Sequence, residues 1–178
     1  MHDLPPAVRR YLWASYVACL ALVSGQIVPF VAAGALWDHP VVPLRYVAVF
    51  LVLAYAGERI QLVVNRSLVM SLTTPVHIAV ILLFPPPYPV LITLVAVLIS
   101  QTSRALHTHR PLYKRVFNVC HPTLVVGLSS SLISLVAQPQ ATVQPGHIAA
   151  ALPILILLTA VYYTLDTMTL LVIFVLQQ

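Results

Sequence analysis

From Tyr11 to Trp37 the chain runs for 27 residues without one charged side chain. A helix rises 1.5 Å per residue, and about 20 residues suffice to cross the roughly 30 Å hydrocarbon layer of a bilayer. Inside hydrocarbon no water is available to the backbone, so such a run must bond its own amides and carbonyls as a helix. Arg9 and Arg10 ahead of the run resemble the opening of a signal peptide. A signal core, however, has about 7–15 residues and ends at a small-residue cleavage site, so the length argues for a spanning helix.

Dividing the remaining sequence at its charges gives five more apolar stretches. The expected fold class is an all-α, polytopic transmembrane helical bundle forming a single domain over 1–178, with spans at about 11–36, 41–57, 68–84, 90–103, 116–137 and 148–174. Only 7% of residues are charged and the mean hydropathy is +0.96, whereas about a quarter of a soluble domain is charged. Many of the 15 prolines lie inside apolar runs, where membrane helices tolerate them. Pro29 and Pro153 are expected to bend the first and last spans.

The connections differ in character. Asp38, His39 and Pro40 form a short loop after the first span, and Glu58 and Arg59 close the second. Ile60 to Ser71 contains Asn65 and Arg66 and reads as an irregular or interfacial connection. Pro85, Pro86, Pro87 and Pro89 mark a tight turn, because each lacks an amide donor and restrains the residue before it. Arg104, His107, His109, Arg110, Lys114 and Arg115 make the most basic loop, and Gln138 to Gly146 a polar, uncharged one. Of the 31 residues from Ile148 to Gln178 only Asp166 is charged, and a helix of about 46 Å would have to tilt, kink or project beyond the layer.

With these spans, Arg9, Arg10, Arg59, Arg66, Arg104, Arg110, Lys114 and Arg115 fall on one side and Arg45 alone on the other. Eight against one places both ends in the cytoplasm by the positive-inside rule. The net charge of +5 therefore serves topology; the basic residues form no aromatic-interleaved stripe, and the expected partner is the lipid bilayer and not nucleic acid. Cys19 and Cys120 lack CxxC spacing and read as small buried apolar residues. No internal repeat of the inverted type found in many transporters is visible.

Polar residues stranded in apolar runs are the functional candidates, because a charge in hydrocarbon normally faces a protein-lined cavity. Asp166 stands in the last span beside Tyr162, Tyr163, Thr164 and Thr167, either as a ligand contact or as a polar clasp between helices. Glu58 is either a boundary charge or an inward carboxylate within reach of Arg66 or His77. His77 and His121 lie in apolar surroundings, where a hydrogen-bonded structural imidazole competes with an axial ligand to haem or a magnesium pigment. Gln101 borders the fourth span, Ser129 to Ser131 read as packing residues, and Asn118 as a cap or anchor for the start of the fifth helix. The candidate ligand-binding set is Asp166, Glu58, His77, His121, Tyr163 and Gln101, with no catalytic residue, no metal ligand and no assignable cofactor. No span contains a lysine for a retinal Schiff base, and nucleophile elbows, P-loops and HExxH patterns are absent.

Five short segments carry a family resemblance: Gly57-Glu58-Arg59, Ser71-Leu72-Thr73, Leu83-Phe84-Pro85-Pro86, Tyr113-Lys114-Arg115-Val116-Phe117-Asn118 and Tyr162-Tyr163-Thr164-Leu165-Asp166-Thr167. Over residues 41–178 their order resembles the six-helix N-terminal membrane module that precedes HD-GYP phosphohydrolase or diguanylate cyclase domains in bacteria. The resemblance implies a sensory role in the inner membrane and a general likeness to the substrate-binding subunits of vitamin transporters. His121-Pro122 stands where that family usually has glutamine and an aliphatic residue, and Asp166 where asparagine is common.

Three functions follow as expectations. The first is a non-catalytic sensor that binds a small hydrophobic or amphipathic ligand and relays a signal through the last helix to a cytoplasmic signalling domain. Since the sequence stops at Gln178 without a charged segment, either a portion of a longer protein or a stand-alone relative is expected. The second is a transport subunit docking an energising partner through the Arg104 to Arg115 loop. The third is an accessory or pigment-binding subunit among partner membrane subunits. The passage from Glu58 to Ser71, the short third and fourth spans and the overlong sixth depart from a plain bundle, so any cavity is expected among them.

Overall fold

The computed structural model describes residues 4–32, 34, 44–65, 68–105, 111–136 and 148–176. In chain order they form α1 (Pro6–Ala32), α2 (Leu44–Arg59), strands β1 (Gln61–Asn65) and β2 (Leu68–Ser71), α3 (Thr73–Leu83), α4 (Tyr88–Ala105), α5 (Leu112–Val136) and α6 (Ile148–Leu176). The fold is a bundle of six helices with one short hairpin among the described residues. Helices α1, α4 and α5, and α6 over Leu152–Val172, are long and apolar enough to cross a membrane. The expected loops at Asp38–Pro40 and Gln138–Gly146, and Arg66, His107, His109 and Arg110, lie outside the described residues.

The third apolar stretch is not helical over its expected extent. Leu68–Ser71 pairs antiparallel with Gln61–Asn65, and the helix begins at Thr73. Val63, Val64 and Val69 are branched at Cβ and favour extended backbone, and pairing lets each strand satisfy the other. The resulting α3 has 11 residues, about 16 Å, half of what a full crossing needs. It ends in the proline turn, at extended Phe84. That turn is partly buried: Pro86 is exposed, but Phe84 and Tyr88 are nearly inaccessible and pack edge-on against Phe50 of α2 and Phe30 of α1. Prolines suit the place because they bring no amide hydrogen that would need a partner. The amides that remain are used, Phe84 N–H bonding the Val80 carbonyl, Tyr88 N–H that of Pro85 and Leu91 N–H that of Pro87.

Helix α3 is the hub of the bundle, touching α2, α4, α5 and α6. Its Val80 joins Ala54, Phe84, Tyr88, Ile92 and Ala96 in one apolar cluster, and its neighbour Ile81 joins Val125, Val126, Ile133, Leu158 and Tyr162 in another. Helix α1 packs on α5, where the Tyr16 hydroxyl donates to the Tyr113 carbonyl (2.8 Å) and Gln26 Nε2 to Ser131 Oγ (2.9 Å). The Tyr11 hydroxyl donates to the Thr169 carbonyl of α6 (2.9 Å). Arg59 donates to Ser103, and Arg104 to the Glu58 carbonyl, tying the last turns of α2 and α4 together. These contacts gather the start of α1, the ends of α2 and α4, the start of α5 and the end of α6. One end of the bundle therefore carries Arg9, Arg10, Arg59, Arg104, Lys114 and Arg115, and Arg45, in the first turn of α2, lies at the other.

The polarity of the bundle is the reverse of a water-soluble one. Val17, Leu20, Val52, Ile156 and Leu135 are 61–82% exposed, whereas Thr93, Ser100, Thr123 and Ser129 are fully buried. A continuous apolar exterior of this kind suits lipid and not water. Hydroxyls on the helices satisfy themselves locally: Ser15, Thr123, Ser131, Thr164 and Thr169 each donate to the carbonyl one turn back.

Gly57 marks the tightest backbone approach on which the site depends. A Cβ there would lie 3.2 Å from Thr73 Cα and 3.3 Å from the Leu72 carbonyl, atoms that cannot swing aside. Gly57→Ala is expected to destabilise the bundle by about 1–3 kcal/mol. Gly25→Ala, with nothing within 4 Å, is expected to be neutral or stabilising by up to about 1 kcal/mol. Thermal denaturation in detergent, followed by loss of the monodisperse peak, distinguishes the two; equal effects would contradict the close α2–α3 packing.

Candidate ligand-binding site

A cavity of about 550 Å³ opens inside the basic end of the bundle, within the size range of small-molecule sites. Helix α2 brings Glu58 to it from its last turn. The start of α3 supplies Thr73, Thr74, Pro75 and His77, and α4 supplies Gln101 and Arg104. Asn118, His121 and Pro122 come from α5, and Tyr162, Tyr163, Asp166 and Leu170 from α6. All six residues singled out from sequence line this one space. It lies among the irregular passages expected to hold a cavity, with α5 as a further wall.

The spacing on each helix explains the convergence. His121 follows Asn118 by three residues, Asp166 follows Tyr162 by four, and Arg104 follows Gln101 by three, so each pair shares one helix face. The close approach at Gly57 brings the last turn of α2 against the first of α3, which sets Glu58 beside Thr73, whose hydroxyl hydrogen-bonds the carboxylate. Arg104 reaches across to the Glu58 carbonyl, a cation placed on the negative end of the α2 dipole.

His77 is the most enclosed polar group of the site, 1% exposed. Its Nδ1 lies 2.8 Å from the Tyr162 hydroxyl, a bond that joins α3 to α6, while Nε2 is buried without a hydrogen-bond partner. Nδ1 either accepts the phenol proton or donates its own, and Nε2 takes the complementary role. On the opposite wall His121 Nε2 stands 3.4 Å from Asp166 Oδ1, an ion-pair separation at which no directed hydrogen bond closes. The imidazole of His121 stacks on Phe117, centroids 5.5 Å apart with an interplanar angle of 22°. Asp166 keeps about a third of its side-chain surface accessible and Gln101 is buried. Tyr162 and Tyr163 meet edge to face, 6.1 Å between centroids.

Several sequence expectations find different partners. Asp166 faces His121, and Tyr162, one of the four neighbours considered beside it, is held by His77. Glu58 turns inward, to Thr73 and Arg104 and not to His77. Asn118 does not cap α5, which starts six residues earlier at Leu112; it stands on the cavity wall. Arg104, Thr73, Thr74 and Pro122 were not singled out as site residues. For Arg104 the available signal was its place three residues after Gln101 on the same face. Among the described residues no three His, Cys, Asp or Glu side chains converge closely enough to hold a metal ion.

Comparison with protein-family models, with curated proteins and with solved structures returned no match.

The His77–Tyr162 bond is open to a direct test. Tyr162→Phe keeps the ring and removes the hydroxyl, leaving a second buried imidazole nitrogen unpaired, and is expected to cost about 1–3 kcal/mol. Tyr163→Phe, at a ring 47% exposed, is expected to change stability by less than about 0.5 kcal/mol. Melting curves of the two variants in one detergent provide the comparison, and equal stability would contradict the bond.

Proposed function

We propose that this chain is an integral membrane protein of the bacterial inner membrane that binds a small ligand without chemical conversion and relays its occupancy through α6. In this reading the chain crosses the bilayer six times with both ends in the cytoplasm. The third crossing is made by α3 together with the proline turn and not by a full-length helix. The observation that carries the proposal is the cavity: a polar, charged space of about 550 Å³, walled by five helices, inside a bundle with an apolar exterior. Helices do not bring carboxylates, imidazoles and a guanidinium together in such surroundings without a compensating interaction. Four of the lining residues stand on α6, so a ligand that draws Asp166 or Tyr162 shifts that helix against α3 and α5. The resemblance of residues 41–178 to bacterial sensory membrane modules points the same way.

Two experiments test this. Small molecules extracted from the purified full chain are compared with those from Thr74→Phe, which fills the cavity mouth beside Tyr162. A compound present near one per chain in the wild type and depleted in the folded variant supports the reading; identical extracts from both count against it. For topology, green fluorescent protein fused after Gln178 is expected to fluoresce and alkaline phosphatase at the same position to be inactive. The reverse pattern would sink the proposed orientation.

A further inference from the structure

The charges around the cavity do not balance. Two carboxylates, Glu58 and Asp166, face it with one guanidinium, Arg104, which is engaged with the carbonyl end of α2. With both imidazoles neutral this leaves one uncompensated negative charge, and burial among apolar helices makes such a charge costly. Asp166 is the less compensated member: among the described residues the one basic group within 4 Å of it is the His121 imidazole, at 3.4 Å without a closed hydrogen bond, whereas Glu58 has Thr73 and Arg104 beside it. A carboxylate accepts at up to four lone-pair positions, which leaves Asp166 with capacity for a ligand's donors.

A second, independent feature is the orphaned Nε2 of His77, on a ring 1% exposed that lines the same space. When Nδ1 donates its proton to the Tyr162 oxygen, Nε2 is left as a buried lone pair, an acceptor awaiting an N–H. The rings of Tyr162 and Tyr163 stand on the same wall as Asp166, and aromatic faces attract organic cations through their quadrupoles. Among the described residues no three acidic, thiol or imidazole side chains converge on one metal-sized point, which favours an organic cation over a bare metal ion.

We propose that the cavity takes a small organic cation, a protonated amine on an aromatic or aliphatic body, with its ammonium at Asp166 and its body against Tyr162 and Tyr163. This rests on the reading of the cavity as a ligand site. Glu58, from the end of α2, adds to the negative potential, and His77 Nε2 accepts from the ligand's second hydrogen-bond donor. His121 supports Asp166 when the site is empty and yields to the ligand when it is filled.

The test uses the purified full chain in detergent micelles and three probes of similar size: phenethylammonium, 3-phenylpropionate and 3-phenylpropanamide. The ammonium is expected to raise the melting temperature in a saturable way, the carboxylate and the amide to leave it unchanged. In Asp166→Asn the apparent dissociation constant for the ammonium is expected to rise by about tenfold or more, while Asp166→Glu retains part of the shift. The comparison of probes on the wild type does not depend on any variant folding. Equal stabilisation by the carboxylate or the amide would overturn the cation assignment and leave the ligand site standing. No stabilisation by any probe would also overturn it, and the ligand reading would then be decided by the molecules extracted from the chain.

Discussion

The outside of this bundle is apolar, and a polar group on its helices is served best by a partner within the protein. Exposed valines, leucines and isoleucines form the outer surface, so the free energy of the fold comes from helices packing on one another and from hydrogen bonds closed between them. The hydroxyls that return to carbonyls one turn back, the prolines that bring no amide to the partly buried turn after α3, and the tyrosines reaching main-chain carbonyls on other helices all answer the same requirement. Among the described residues Gln26 Oε1 and the hydroxyls of Thr93, Ser100 and Ser129 stay unpaired elsewhere in the bundle, whereas the unpaired Nε2 atoms of His77 and His121 stand with the loosely held carboxylate of Asp166. They face one cavity, and the functional reading follows from that.

Helix α3 makes the arrangement possible by being short. An 11-residue helix ending in a partly buried turn can sit at the centre of the bundle, with Val80 and Ile81 in separate apolar clusters and His77 one turn nearer the basic end. The hairpin before it lies in the passage from Ile60 to Ser71 expected to be irregular, and its second strand, Leu68–Ser71, takes up residues that the apolar pattern assigns to a longer helix. Gly57 then lets the backbones of α2 and α3 meet, which brings Glu58 to the cavity wall.

The sequence picked out six residues that line one cavity, but not the partners they meet there. Asp166, Glu58, His77, His121, Tyr163 and Gln101 stand out because each is a polar residue in or beside an apolar run, and such residues have to turn toward the protein interior. That rule acts on each residue alone, so no tertiary information is needed to apply it. Partners are another matter. His77 and Tyr162 are 85 residues apart and Arg104 and Glu58 46 apart, and nothing local in either segment specifies the meeting. The extended Leu68–Ser71 segment escaped for the opposite reason: its four residues are apolar enough for either structure, and the pairing with Gln61–Asn65 decides between them.

Spin-label accessibility in lipid nanodiscs tests most directly whether a lipid-facing exterior surrounds the polar cavity at the basic end. Labels at Val17, Val52 and Ile156 are expected to relax strongly with oxygen, which partitions into lipid, and weakly with a water-soluble nickel chelate. A label at Asn118, on the cavity wall, is expected to show the lowest oxygen access of the four. Strong relaxation by the nickel chelate at Val17 and Ile156, or oxygen access at Asn118 equal to theirs, would contradict the account.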